Sequence, residues 1–354
     1  MSLDLLYTEV EEELRTSVRE MLADLSPPAR VLGNVEGGEP DPKLWRSLAV
    51  EMGLVGLAVP ERWGGAGAGW REVAVVCEEL GRAVAPVPYL GSAVVATAVL
   101  LAVEEEQLLG ELAGGVRTAA LAVPFGTAPG ATVVVDGGVR GVADALSADV
   151  LLVPAADGLY AVEATATDRT AVVSLDLTRP LCDIVPGDAP RRRLATGDRA
   201  AAAVAAGLTA GAALLASEQV GVAQWCLDST VEYAKGRYQF GRPVGSFQAL
   251  KHRLADVYVG VAQARAVARY AAGCLAAGDP DVPVAVALAQ AHCGPVAVRA
   301  AEECVQMHGG IGFTWEHPAH LYLKRAKADA IGFGTAERHR AVLASLVDLP
   351  GAVT

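Results

Sequence analysis

The period of the apolar residues changes twice along this chain, and that double change limits the folds open to it. Over the first hundred or so residues the period is helical: Leu3, Leu6 and Val10, then Leu14, Val18 and Leu22, recur at intervals of three and four. Asp41-Pro42 supplies an N-cap followed by proline in a first turn, opening a helix of Leu44, Trp45, Leu48 and Met52. A glycine-rich loop over 63–69 precedes a helix expected at about 70–85, after which Pro86 and Pro88 interrupt the chain. The loop lacks the Lys and Ser/Thr that a phosphate loop needs at its end. From about Val116 to Pro190 the pattern becomes short β-rich runs, 132–136, 150–154, 160–163 and 171–175, separated by Gly, Asp and Pro. Arg191-Arg192-Arg193 follows and is expected to form a solvated turn. Helical spacing returns near Ala200. Long helices are expected over 207–235, from Phe247 onward, and over 282–307, with a kink at Gly294-Pro295. His308-Gly309-Gly310 stops the third, and two shorter helices, near 321–329 and from about Ala336, complete the chain.

The expectation is therefore a mostly α protein with a small central β domain, in three units: a helical domain over 1–115, a β domain over 116–198 and a helical bundle over 199–354. Composition suits this. Hydrophobic residues make up 52% of the chain but aromatics only 5%, so the cores are built from Ala, Val and Leu, which let helices approach closely. Charges and glycines break the apolar runs, so no membrane span is expected. The acidic start lacks the basic region of a secretory signal, and a cytoplasmic location is expected. Acids outnumber bases 41 to 29, a net charge of −12 that disfavours nucleic acid. Cys77, Cys182, Cys226, Cys274, Cys293 and Cys304 show no metal-type spacing and are expected as buried, reduced thiols. His317 and His320 are the only close histidines, and Pro318 between them speaks against a metal pair.

Three segments carry chemistry. Gly236-Arg237-Tyr238-Gln239-Phe240-Gly241 lies between two long helices, Gln306-Met307-His308-Gly309-Gly310-Ile311-Gly312-Phe313 ends the third, and Leu323-Lys324-Arg325-Ala326-Lys327 precedes Gly332-Phe333-Gly334-Thr335. Arg237 offers a planar multi-donor cation. Gly309 and Gly310 bare the backbone to a close approach, and Phe240 can lie against an aromatic ring. Each feature also has a plainer reading: Arg237 and Gly241 as a helix–helix turn, Gly309-Gly310 as a helix stop.

In order and spacing, and together with Val59-Pro60-Glu61-Arg62-Trp63-Gly64-Gly65, these segments resemble the acyl-CoA dehydrogenases. The resemblance covers the first hundred residues and everything after about 200. It implies an N-terminal helical domain, a β-barrel-like middle domain and a C-terminal four-helix bundle. It also implies that Arg237, Phe240, Gln306, Gly309 and Gly310 contact FAD held mainly by a neighbouring subunit.

The chain departs from the family at its reaction centre. The family removes an α-proton with a glutamate of a Glu-Gly-Thr segment, and Phe333 stands in that slot. The alternative position on the first long bundle helix falls near Gly211-Ala212. Glu218 lies roughly 10 Å further along that helix, at ~1.5 Å per residue, too far to substitute. Glu337 is the better substitute if the helix continues back to share a face with Phe333, although a surface role suits it too. The family's flavin-ring segment is also missing: 119–127 keeps a proline and little else. The resemblance then points to the non-catalytic subunit of an α2β2 heterotetramer, as in bacterial steroid side-chain degradation. Such a subunit has no catalytic residue of its own and completes the FAD site of a homologous partner carrying the glutamate. Acyl-CoA binds at the partner's site, and an electron-transfer flavoprotein is the expected acceptor. Two alternatives stay open: a self-sufficient enzyme using Glu337, and a structural relative that binds no FAD.

Overall fold

A computed structural model describes residues 4–35 and 41–347 together with Leu349; Leu3, of the first apolar stripe, lies outside the described residues. The N-terminal helices are α1 (Glu9–Leu25), α2 (Pro28–Asn34), α3 (Pro42–Arg46), α4 (Trp70–Arg82), α5 (Thr97–Ala102) and α6 (Glu106–Ala113). Thr8 caps α1 in a reciprocal box with Glu11. Asp41 accepts from the N–H groups of Lys43 and Leu44, with Pro42 in the first turn of α3, as its sequence predicts. A π-helical segment, Leu90–Ala96, leads into α5 and is buried almost throughout.

The middle region holds two sheets. Strands β1 (Ala119–Leu121), β3 (Val150–Ala155), β4 (Gly158–Glu163) and β7 (Arg191–Ala195) form one, in the order β1-β3-β4-β7; β2 (Val139–Ala143), β6 (Leu181–Val185) and β5 (Asp168–Val172) form the other. They enclose a core of Leu151, Tyr160, Val162, Val142, Cys182 and Ile184. Several expectations fail here. Residues 132–136 form no ladder and touch the sheet through the Val135 N–H to Pro154 carbonyl bond, 2.7 Å. The run expected over 171–175 pairs instead over Asp168–Val172. Arg191-Arg192-Arg193 is a strand and not a turn: it pairs with β4 along the sheet edge, where its side chains stay in solvent. An arginine run has no β signature, but an edge strand tolerates charge on its open face.

The bundle comprises α7 (Gly197–Gly236), α8 (Gln248–Ala277), α9 (Val282–Met307), α10 (Ala319–Asp329) and α11 (Ala336–Leu346). Helix α9 runs through Pro295 without a break. Small residues set the packing. A Cβ on Gly81 would fall 2.8 Å from the Glu218 carbonyl carbon, so α4 and α7 cross almost backbone to backbone. Helices α7 and α9 are long and apolar enough to cross a membrane, yet 72% and 61% of their apolar windows are buried inside the protein, as befits core helices.

Candidate functional site

Two regions collect the residues singled out by sequence, and they differ in kind: one is open, the other sealed.

The open region lies at the end of the bundle where α7 and α9 finish. Helix α7 ends at Gly236, and the Arg237 N–H bonds back to the Tyr233 carbonyl at 2.9 Å. The chain then doubles back in a tight hairpin, Tyr238–Gln239 (β8) on Arg242–Pro243 (β9), closed by Val244 N–H to the Arg237 carbonyl, 2.8 Å. Its two turn residues, Phe240 and Gly241, both have positive φ, +56° and +75°. Glycine adopts this conformation freely, whereas phenylalanine is strained in it. The Phe240 ring is 89% exposed, touching only the edge of Phe247 at 6.1 Å between centroids. Among the described residues the exposed Arg237 guanidinium has no hydrogen-bond or ion-pair partner. Gln306, Gly309 and Gly310 are exposed as well. Gly309 turns the chain at φ +64°, and a Cβ on either glycine would meet no protein atom within 4 Å. The structure thus brings the two segments to the same end of the bundle. Tyr233, one turn before Arg237, lies 4.5 Å ring to ring from His308, which precedes Gly309. A free cation, a bare backbone turn and a projecting aromatic ring form a donor set that fits a pyrophosphate joined to a heteroaromatic ring.

The sealed region is where the two possible base positions meet. Phe333 sits in a turn at φ +53°, its ring 5% exposed. A Cβ on Gly211 would lie 2.5 Å from the Cζ of that ring and 2.9 Å from a Val95 methyl, so the glycine on α7 makes room for the phenyl group. The Phe333 N–H donates to the Phe125 carbonyl at 2.8 Å, and the two rings meet edge to face at 5.6 Å. Gly332 abuts Phe125 and Leu215. The 119–127 segment therefore packs directly on the 331–334 turn, with no slot for a planar ring between them. The remaining cavity, lined by Leu90, Gly91, Val95, Val123, Asp144 and Phe333, holds about 30 Å³, room for a water or two.

Glu337 does not reach this cavity. Thr335 caps α11, so the helix does not continue back to Phe333, and Glu337 points into solvent beside Arg340 at 3.6 Å. The carboxylate that does line the cavity is Asp144, which the sequence did not suggest. It sits at φ +60° and accepts the Gly91 N–H at 2.9 Å; burial pushes its carboxyl up, against the opposing pull of Arg179.

Beside this small cavity lies a buried ionic cluster joining the β region to the bundle. Arg179 donates to Glu218 at 2.6 and 2.7 Å and to Asp329 at 2.5 Å. Arg325 donates to Asp176 and Glu218 and, at 2.6 Å, to the Thr178 hydroxyl. All these side chains are buried. Glu218 is thus an ion-pair partner, in keeping with its distance from the reaction position. Burial opposes charge on Asp176 and Glu218, yet the two arginines hold both below the usual carboxylate range. Burial pushes Asp329 the other way, up to about 8. The guanidinium facing its Oδ1 does not offset the loss of water, and its Oδ2 has no partner among the described residues. Three carboxylates thus share two guanidiniums, and Asp329 is the one of the three that is pushed towards its protonated form.

Comparison with known proteins follows this geometry. The chain matches the family described as acyl-CoA dehydrogenase, N-terminal domain, over residues 8–109, and acyl-CoA dehydrogenase, C-terminal domain, over 201–347. It is 38% identical over 324 residues to acyl-CoA dehydrogenase IpdE2 of Mycolicibacterium smegmatis, covering 91% of this chain and 94% of that protein. Among solved structures, the ChsE4-ChsE5 complex from Mycobacterium tuberculosis includes a chain that superposes with a TM-score of 0.85 at 28% identity, covering 99% of this chain and 100% of that one. The Tcur3481-Tcur3483 steroid ACAD gives 0.83 at 31% identity, covering 96% and 98%.

Proposed function

This chain belongs to the acyl-CoA dehydrogenase family, and from that premise we propose that it is the non-catalytic subunit of a heteromeric, flavin-dependent dehydrogenase. In this reading it assembles with a homologous subunit carrying the glutamate base and completes that partner's FAD site. The observation that carries the reading is the contrast between the two regions. The base positions converge on a buried apolar contact between Phe333 and Gly211, while Arg237, Phe240 and the Gly309-Gly310 turn are exposed, and the Arg237 guanidinium has no partner among the described residues. Likeness to chains of two-component complexes, one of them a steroid ACAD, supports the heteromer and suggests a steroid-type acyl-CoA.

Bound FAD supplies the acceptor for hydride leaving the β-carbon of an acyl thioester. This chain's part is binding and electrostatics. Arg237 would neutralise pyrophosphate charge, the Gly309 and Gly310 backbone would offer N–H donors, and Gln306 would add a side-chain amide. Phe240, which projects from its turn, would cover an aromatic face. The acyl group and the proton transfer belong to the partner's site, and an electron-transfer flavoprotein reoxidises the assembly. The division into 1–115, 116–198 and 199–354 and a cytoplasmic location complete the proposal.

Self-sufficiency has one specific feature in its favour, the buried Asp144 carboxylate beside Phe333. The cavity of about 30 Å³ it faces does not admit a thioester, so the heteromeric reading is preferred. Purification of the tagged chain from the organism that encodes it tests the proposal. A co-eluting homologous dehydrogenase and flavin that is lost on Arg237→Ala are expected. A flavin-loaded, active assembly of this chain alone overturns it.

A further inference from the structure

The two segments offered to the dinucleotide come from the ends of different helices, and among the described residues no hydrogen bond joins the 238–243 hairpin to the 309–313 turn. Besides the packing of α7 against α9, a set of rings joins their ends. Tyr233 lies on His308 with centroids 4.5 Å apart and planes 32° apart, and His308 lies on His317 at 4.4 Å and 44°. Each of the three residues is fixed at a different element, the two histidines through their rings. The Tyr233 carbonyl, on α7, receives the Arg237 N–H. His308 is buried at the end of α9, with Nδ1 2.7 Å from the Cys304 carbonyl oxygen, a contact in which the ring N–H donates. His317 Nδ1 accepts the Ala319 N–H, 3.2 Å, at the start of α10. The turn after His308 folds back on that residue: a Cβ on Gly312 would come 3.0 Å from the His308 Cβ.

We infer that the Tyr233–His308–His317 stack is a positioning element that holds Arg237 and the Gly309-Gly310 backbone in a fixed relation to one another, so that both can serve one diphosphate. This rests on the dinucleotide reading above. The reasoning is geometric. A guanidinium and a backbone turn grip one diphosphate together only if their separation is fixed before binding; otherwise ordering them weakens the grip. Offset and tilted ring stacking supplies a rigid, direction-specific link at the one place where the two segments approach. The buried middle ring makes the link continuous from α7 to α10. None of the three rings touches the dinucleotide in this account, so they act through Arg237 and the glycines.

The test uses the complex that the tagged chain forms in its own organism, with FAD affinity measured by titrating FAD into the flavin-stripped complex and following flavin fluorescence. Assembly is checked by native mass spectrometry. His308→Ala is expected to weaken FAD binding about ten-fold and His317→Ala a few-fold, whereas His308→Phe, which keeps a ring in place, stays within about two-fold of the parent. Wild-type affinity in both alanine variants overturns the inference, as does His308→Phe being as weak as His308→Ala. If His308→Ala fails to assemble, His317→Ala compared with His317→Phe decides by the same criterion. Arg237→Ala separates the two levels of the argument. If it loses FAD while the histidine variants do not, the dinucleotide reading stands and the stack has no role. If it retains FAD, the dinucleotide reading falls and takes the inference with it.

Discussion

At the residue scale the informative position is Phe333. A phenyl ring in the slot that the family resemblance assigns to a base reads as a loss; in the folded chain it is half of a fitted pair, because Gly211 leaves room for it on α7. Gly211→Ala is therefore expected to destabilise the chain by about 1–3 kcal/mol through overpacking. The double variant with Phe333→Leu should recover part of that loss, a coupling that urea denaturation of the four proteins in the cycle measures. Strictly additive losses would mean the two side chains are not fitted to each other. Asp144→Asn addresses the rival base. The account predicts turnover of the assembled enzyme within about two-fold of the parent, against a loss of orders of magnitude for a true base. Phe333 in the slot expected of a glutamate was legible in the sequence. Its fit against Gly211 was not, because the two lie on separate elements and glycine leaves no periodic signal.

At the scale of elements, the cluster of Arg179, Arg325, Asp176, Glu218 and Asp329 joins the loop before β6 to α7 and α10. Removing one partner leaves uncompensated buried charge, so Arg325→Met is expected to cost about 3–5 kcal/mol. The cluster also sets a pH profile. Asp176 and Glu218, held low, contribute stability above the usual carboxylate range that is lost as pH falls through their folded values. Asp329, pushed up to about 8, works in the opposite sense. The folded chain keeps a proton that the unfolded chain has released, so stability declines as pH rises from about 4 towards 8. Asp329→Asn should flatten that decline. Urea midpoints at several pH values check it, and a parallel profile in parent and variant would contradict it. Sequence reading singled out Leu323 to Lys327 but could not distinguish Arg325 from the lysines beside it. Helix phase does: Arg325 shares the buried face with Leu321, Tyr322 and Asp329, whereas Lys327 reaches Glu302 on the surface. The helices themselves were legible, since caps such as Asp41 and long apolar stripes are local. The strands were less so. β1 is three residues of Ala-Ala-Leu, and β7 carries three arginines, so ladder pairing overrides weak local preference.

At the scale of the whole molecule the chain presents a closely packed contact, Phe333 on Gly211, and an open end, the arrangement that the proposed assembly calls for. The open end was legible as a set of segments, Arg237 to Gly241 and Gln306 to Phe313. Their convergence through Tyr233 and His308 was not, because it depends on how α7 crosses α9. With a partner in place, Arg237→Ala removes one charge-assisted contact and should weaken FAD binding about 10- to 100-fold without dissociating the subunits. The central claim, that this chain is half of a site, is tested most directly by native mass spectrometry of the complex with bound flavin counted. The account predicts a tetramer of two copies of this chain and two of a homologous dehydrogenase, holding two FAD. A tetramer of this chain alone, holding one FAD per subunit and oxidising acyl-CoA, would contradict it.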